Sequence, residues 1–483
     1  MRRLRPALPL AALLPALAAC AGFSGVAPSA QRLQPQALDA GAALRAAQAG
    51  AAWPQPSWWQ AYGDPQLDRL VADTIAGNPG LAAAQARVAQ ARGLAEVARA
   101  GSLPQLDGEA AFLRTYTTHE EATLSPTQAH TYWQGSALLQ ASYDLDLWGA
   151  QRSALEAALD RVQAAAAETQ AARLALATAA VQGYAALAGL YAERDVAQAD
   201  LERRRNILEL ARRRYAAGLG TRLEINQAAT ALPEDEAQVE RIEQALALRR
   251  NQLAALAGRG PGYGEALARP ALKPGSAVAV PADLPAALLG RRPDIAAQRW
   301  RVEAASSGIA EARARFYPNV NLSAMAGVAS LNLTRLFTDS AAIGTIGPAI
   351  SLPIFEGGRL RGNLRVQAAA YDAAVDGYNA ALIGALREVA DAVAALRSLA
   401  RQRERTQAAL DLAQAANGQA LLGFRGGLTD YLGVLNTQAE LLAQQRSLAQ
   451  IAAAQLQAHA ALMDALGGGF DASAERSAGA GQP

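Results

Sequence analysis

Tyr215-Ala216-Ala217-Gly218-Leu219 and Phe424-Arg425-Gly426-Gly427-Leu428 are two versions of one motif. They stand 209 positions apart, and the same spacing pairs Leu223 with Leu432, Ile225 with Val434 and Gly258 with Gly467. Further upstream, Asn78-Pro79-Gly80-Leu81 opens a helical pattern that runs through Arg87-Val88. Arg292-Pro293-Asp294-Ile295 opens a second one that runs through Arg301-Val302. There the spacing is 214, and it also matches Pro104 with Pro318. The change in spacing puts five extra residues in the first copy, between its proline and its glycine. Internal repetition of this kind decides a fold before any single element does. The Gly- and Pro-rich stretch from Gly258 to Asp283 links the two copies.

Each copy carries the same order: a helix, a pair of strands, a very long helix, a glycine break and another helix. The spacing of apolar residues predicts first helices over about Pro65–Gly101 and Leu284–Phe316, and long helices over about Gly149–Ala217 and Gly357–Arg425. Arginines followed by Gly218 and Gly427 are what helix C-termini favour. A helix of roughly seventy residues is about 100 Å long, and a pattern that long implies lateral helix packing rather than a compact domain.

The strand pairs alternate with period two. From Asn319, the apolar positions are Val320, Leu322, Ala324, Ala326 and Val328, and the return strand repeats the pattern at Ile346, Pro348, Ile350, Leu352 and Ile354. In the first copy Trp133, Gly135, Ala137, Leu139, Ala141, Tyr143 and Leu145 fall on one face, and Gln134, Ser136, Gln140, Ser142 and Asp144 on the other. A membrane barrel with lipid outside and water inside gives this pattern. So does an ordinary half-buried antiparallel sheet. Four strands cannot close a barrel, so the first reading requires several subunits.

Composition fits long, closely packed helices. The 483 residues are 51% hydrophobic but only 5% aromatic, so alanine, leucine and other small apolar residues carry the apolar count. Large rings normally dominate core burial, and they are scarce here. The net charge is +2, Lys273 is the only lysine, and no basic stretch resembles a nucleic-acid footprint. One cysteine excludes a disulfide framework, and His119, His130 and His459 lack the partners of a zinc site.

The N-terminus reads as a targeting segment. Arg2, Arg3 and Arg5 precede an apolar stretch, Leu8–Ala19, too short to span a membrane. It ends Leu17-Ala18-Ala19-Cys20, which resembles the lipobox of bacterial lipoproteins; Cys20 would become the lipidated first residue of the mature chain. Ala21 follows, leaving outer-membrane sorting open. Loss of residues 1–19 removes three arginines and no acid, so the net charge passes from +2 to −1. Beyond Cys20 no long uninterrupted apolar run predicts a spanning helix.

Motifs for chemistry are missing. His119-Glu120-Glu121 lacks the second histidine of a zinc-protease helix. The glycines of 258–264 follow no strand, so a phosphate loop is not expected. Asp144 and Asp146, two apart, share a face and could pair as acid and base.

Tyr143-Asp144-Leu145-Asp146-Leu147-Trp148-Gly149 resembles the strand-to-helix signature of the TolC-like outer-membrane factors. Leu352-Pro353-Ile354-Phe355-Glu356-Gly357-Gly358-Arg359 resembles its second-copy counterpart. Trp58-Trp59 with Asp64-Pro65, Leu67 and Leu70, and the terminal Ala465-Leu466-Gly467-Gly468-Gly469, are similar to the NodT-type efflux lipoproteins. The resemblance implies a mainly α, duplicated TolC-like fold. Four membrane strands per subunit would make a twelve-stranded barrel in a homotrimer, with a long α-helical barrel beneath it. It implies segments 1–19 (signal peptide), 20–62 (extended, lipidated), 63–260 (first repeat), 261–283 (linker), 284–469 (second repeat) and 470–483 (tail).

The implied function is passive: an exit duct of a tripartite efflux pump, with no enzyme activity and no cofactor. A periplasmic adaptor (membrane fusion protein) and an inner-membrane transporter, of RND type, are the implied partners, with outer-membrane lipid around the barrel and no nucleic acid. Adaptor contact is expected at the turns Gly218, Leu219, Thr221 and Gly427, Leu428, Thr429. Charge rings close such pores; two acidic positions of some relatives are Gly433 and Asn436 here, which leaves Glu224 and Asp430 as gate candidates with Arg222 or Arg425 as ion-pair partners. Two other readings stand beside it. One is the same duct serving type I protein secretion, whose branch usually lacks a lipobox. The other is a lipid-tethered periplasmic scaffold.

Overall fold

The computed structural model describes residues 25–35, 38–39, 41, 44, 51–116, 131–273, 280–281, 284 and 288–472. Cys20, His119 and His130 lie outside them. Helices α1 (Pro65–Gly77) and α2 (Pro79–Ala100) lead to strands β1 (Gln105–Tyr116) and β2 (Thr131–Asp144), then to α3 (Ala150–Ala216) and α4 (Arg222–Leu256). A short α5 (Pro261–Glu265) lies in the connection. The second copy repeats the order with α6 (Leu288–Arg291), α7 (Pro293–Ala314), β3 (Asn319–Ser330), β4 (Ala342–Ser351), α8 (Arg359–Gly426) and α9 (Tyr431–Ala465).

The expected first helices are each broken by a proline. Proline disfavours helical geometry in the residue before it. Asn78 is extended, at φ −74° and ψ 120°, and its Oδ1 accepts the Gly80 N–H at 2.8 Å to start α2. Arg292 interrupts the second copy at the matching position, before Pro293. The return strand is also shorter than its apolar pattern. It ends at Ser351, and the apolar Leu352 and Ile354 continue the sequence alternation outside the ladder. The long helices match expectation within two residues.

Both long helices end alike. Gly218 and Gly427 adopt left-handed φ of 71° and 73°, and the following N–H groups reach back, Leu219 to Arg214 O and Leu428 to Gly423 O, each at 2.8 Å. This six-to-one bond satisfies carbonyls that the helix end would leave unpaired. Within α3 one 18-residue window has a mean hydropathy of 1.4, which by length and composition would suit either a membrane span or a core helix; half of it is buried within the chain.

The chain divides into two compact units. One holds residues 87–165 and 297–378, with the sheet. Its strands form a single antiparallel sheet in the order β1-β2-β3-β4. Leu106 lies opposite Ala141, Ala141 opposite Ala324 and Ala324 opposite Ile346, so one face is an apolar band across all strands. Gln140 lies opposite Asp107 and Met325 on the other, more polar face. The apolar band is uncovered: Ile346 is 90% exposed, and Leu106 and Ile350 are each 70% exposed. A half-buried sheet would have covered this face with a helix or a second sheet. The uncovered face is what the first of the two readings expects.

The other unit holds residues 33–86, 166–296 and 379 onward. One of its core clusters gathers Leu67, Leu70 and Val71 of α1 against Tyr184 and Leu187 of α3 and Leu246 and Leu253 of α4. Small residues let its helices approach. A Cβ on Gly189 would sit 2.6 Å from the Ala453 Cβ, too close for any side chain. Asp64 caps α1 by accepting from Gln66 N at 2.9 Å, and it also accepts from the Tyr184 hydroxyl and the Ala271 N–H, each at 2.8 Å. Burial would raise its carboxyl; the hydrogen bonds from Ala271, Tyr184 and Gln66 outweigh that and hold it below the ordinary value.

Candidate functional site

The sequence directs attention to the α3–α4 and α8–α9 turns, both in the second unit. A small apolar cluster holds them together: Ile207 and Leu208 of α3, Ala228 of α4, Phe424 of α8, and Tyr431 and Val434 of α9. The Phe424 and Tyr431 rings lie 5.7 Å apart. Arg214 crosses between the copies. Its guanidinium lies over the Phe424 ring at 4.6 Å, donates to Phe424 O at 2.8 Å and donates to Leu219 O at 3.1 Å. It thus ties the C-terminus of α8 to the turn that ends α3.

This lock was absent from the expected site. The duplication could have pointed to it, because Phe424 stands where Tyr215 stands in the first copy. The two equivalents behave oppositely: Phe424 is buried at 1% exposure and Tyr215 is 44% exposed. The position matching Arg214 is Gly423, which has no side chain to reciprocate. Equal sequence motifs therefore pack unequally, and one turn leans on the other.

The carboxylates named as gate candidates both cap helices. Glu224 closes a capping box with Thr221: the Thr221 hydroxyl accepts the Glu224 N–H at 3.3 Å, and Glu224 Oε2 accepts the Thr221 N–H at 3.4 Å. Asp430 accepts the Gly433 N–H at 3.0 Å at the start of α9. Arg222 and Arg425 are exposed, and among the described residues neither forms an ion pair; the expected partnership with Glu224 and Asp430 is not made within one chain. Around the turns Leu219, Leu223, Leu428 and Leu432 expose 56–88% of their surface. These are two repeat-related pairs, so each turn presents the same two apolar side chains.

The remaining candidates for chemistry resolve into structure. Asp144 accepts the Asp146 N–H at 3.0 Å and the Asn319 side-chain amide at 3.2 Å. Asp146, with φ of 40°, accepts the Gln151 and Arg152 N–H groups at 2.9 and 3.0 Å. The pair ends a strand and begins a helix, and Trp148 secures the junction by stacking on Tyr317 at 4.6 Å. His459 shares a 2.8 Å hydrogen bond with the Tyr62 hydroxyl. No group of three or more metal-ligating side chains occurs among the described residues.

The sequence profile of "Outer membrane efflux protein" matches residues 70–259 and 284–468, one match on each copy. The chain belongs to the outer membrane efflux protein family. The efflux-protein fold recurs in a solved structure, the outer membrane protein VceC from Vibrio cholerae. That structure is 37% identical with a TM-score of 0.82, over 87% of this chain and all of that one. The multidrug resistance outer membrane protein MdtP of Escherichia coli K12 is 31% identical over 92% of each chain. The fusaric acid resistance protein FusA of Burkholderia cepacia is 45% identical, over 72% of this chain and 66% of FusA. The efflux-family protein is therefore an outer-membrane channel protein with a TolC-like fold, and not an enzyme.

Proposed function

We propose that three copies of this chain form the outer-membrane exit duct of a tripartite efflux pump. The three sheets close into one twelve-stranded barrel, and small molecules such as drugs pass passively from periplasm to exterior. An inner-membrane transporter of RND type supplies the energy, and a periplasmic adaptor opens the duct at the α3–α4 and α8–α9 turns. The uncovered apolar face of the sheet carries this reading: lipid is the environment that makes its exposure favourable. The exposed leucines at the turns support an adaptor contact there, since exposed apolar patches mark interaction surfaces. Cys20 carries the lipid anchor, and three acyl chains exceed the two needed for stable attachment. Radioactive palmitate should label the wild type and not Cys20→Ser; a labelled mutant refutes the anchor.

Glu224 and Asp430 act twice in this proposal. They cap their helices, and, repeated around a threefold axis, they place negative charge at the constriction, with Arg222 and Arg425 available as partners from a neighbouring subunit. Conductance of the purified protein in planar bilayers tests both levels. The wild type should form cation-preferring pores that open rarely. Glu224→Gln with Asp430→Asn keeps the capping hydrogen bonds and removes only charge, so it should weaken cation preference or raise opening. No conductance from any preparation overturns the duct; an unchanged double variant overturns the gate alone.

A further inference from the structure

The subunit reading leaves open how one copy meets the next, and the duplication supplies the answer. We infer that β4 of one subunit pairs with β1 of its neighbour in one definite register, with Ala349 opposite Ala111 and Pro348 opposite Phe112. This inference rests on the trimeric duct proposed above and adds the seam to it.

The argument starts from the two open edges. β1 and β4 are the outer strands of the sheet, so each offers one row of unpaired backbone groups. In an antiparallel pair, the N–H and C=O of one residue point to the same neighbour, and residues alternate between neighbours. The Leu145 N–H donates to Val320 O at 3.1 Å, which places the hydrogen-bonding groups of even-numbered β3 residues toward β2. Odd-numbered β3 residues then face β4. Since Asn321 lies opposite Ala349, odd-numbered β4 residues face β3, and even-numbered ones face the open edge. The same step through Ser142 and Gln105 leaves even-numbered β1 residues facing the other open edge. Even must meet even, which also matches apolar face to apolar face. Registers differing by one residue are thereby excluded.

The repeat picks one register from those remaining. The seam between copies within one chain is β2 against β3, where Gln140 lies opposite Met325 and Leu139 opposite Ala326. β4 is the second-copy equivalent of β2. Their spacing is 209, and it aligns Gly135 with Gly344 and Ser142 with Ser351. β1 is the first-copy equivalent of β3 at a spacing of 214. Replacing each strand of the internal seam by its equivalent turns Gln140–Met325 into Ala349–Ala111, and Leu139–Ala326 into Pro348–Phe112. Both neighbours are copies of this chain, so six similar hairpins succeed one another around the barrel.

Pro348 fits this assignment. Its missing N–H falls on the open edge, so the β3–β4 ladder loses nothing. On the assembled seam the Phe112 carbonyl goes without that donor. On a free subunit, the proline discourages pairing with strands that are not the intended partner.

Disulfide trapping tests the register. Ala111 and Ala349 are odd-numbered, so they form a non-hydrogen-bonded pair with Cα atoms about 4.5 Å apart, within disulfide reach. Shifting one partner by two residues widens the gap to about 7–8 Å, beyond it. Ala111→Cys with Ala349→Cys, oxidised mildly in intact cells, should give covalently linked subunits on a non-reducing gel. The yield should exceed by at least about five-fold that of the shifted pairs, Ala111→Cys with Gly347→Cys and Leu113→Cys with Ala349→Cys. Thr115→Cys with Thr345→Cys is a second in-register pair should the first fail to fold, and single-cysteine parents set the background. Mass photometry of the detergent-solubilised protein separates the two levels. A trimer linked best through a shifted pair overturns the register and leaves the duct intact; a monomeric mass with no linkage overturns the trimer.

Discussion

Arg214 is the residue on which the two turns depend. Its three contacts, two carbonyls and one ring face, come from one rigid planar group, which lysine cannot imitate. Truncation removes the shorter of two hydrogen bonds to the Phe424 carbonyl, which keeps the Gly427 N–H at 3.2 Å, and leaves the ring without its cover. For a half-buried group this costs about 1–2 kcal/mol locally. Arg214→Ala should therefore speed amide exchange in the α3–α4 and α8–α9 turns by roughly ten-fold while leaving the sheet unchanged. Hydrogen exchange read by mass spectrometry checks this; unchanged turns would assign their stability to the Phe424–Tyr431 cluster alone. Nearby, Asp200 of α3 is buried at 1% exposure and accepts from Arg203, Arg204 and Gln438, so the helices above the turns are tied separately.

At the scale of elements, the long helices and three of the strands were legible residue by residue because their periods are long and regular; β1 was expected only as the partner of β2. Gly218 and Gly427 stop α3 and α8 where expected, since left-handed geometry has a strong residue preference. The pattern overran at Leu352 and Ile354, because alternation records which side a residue faces and not whether its backbone has a partner. It also ran through Pro79 and Pro293, where a helix can break and resume with the same apolar stripe. Of the candidate site, the positions of the two helix-ending turns were legible. The sequence showed Glu224 and Asp430 there as charges, while the structure shows that both also cap helices. The asymmetry of Tyr215 and Phe424 was invisible, since burial is set by packing between distant segments and the two motifs read alike.

At the scale of the whole molecule, the uncovered band of the sheet makes a sharp demand. Ile346→Arg should cost about 2–4 kcal/mol in a membrane-embedded barrel near the midplane, whereas on a water-facing sheet it would cost little. The expected result is loss of heat-modifiable migration and of outer-membrane protein after fractionation; normal assembly of this variant would count against a lipid-facing band. The duplication itself is imperfect in one place. Tyr116 lies opposite Thr131; counted from equivalent pairs, 18 residues join Arg114 to Trp133 and 13 join Val328 to Ala342, and this is where the spacing passes from 214 to 209. Before that point a trimer would repeat nearly the same strand pair six times; beyond it, two different connecting sequences would alternate. A phage or antibody arriving at such a trimer from outside would thus meet two kinds of connecting sequence, three of each, rather than six alike.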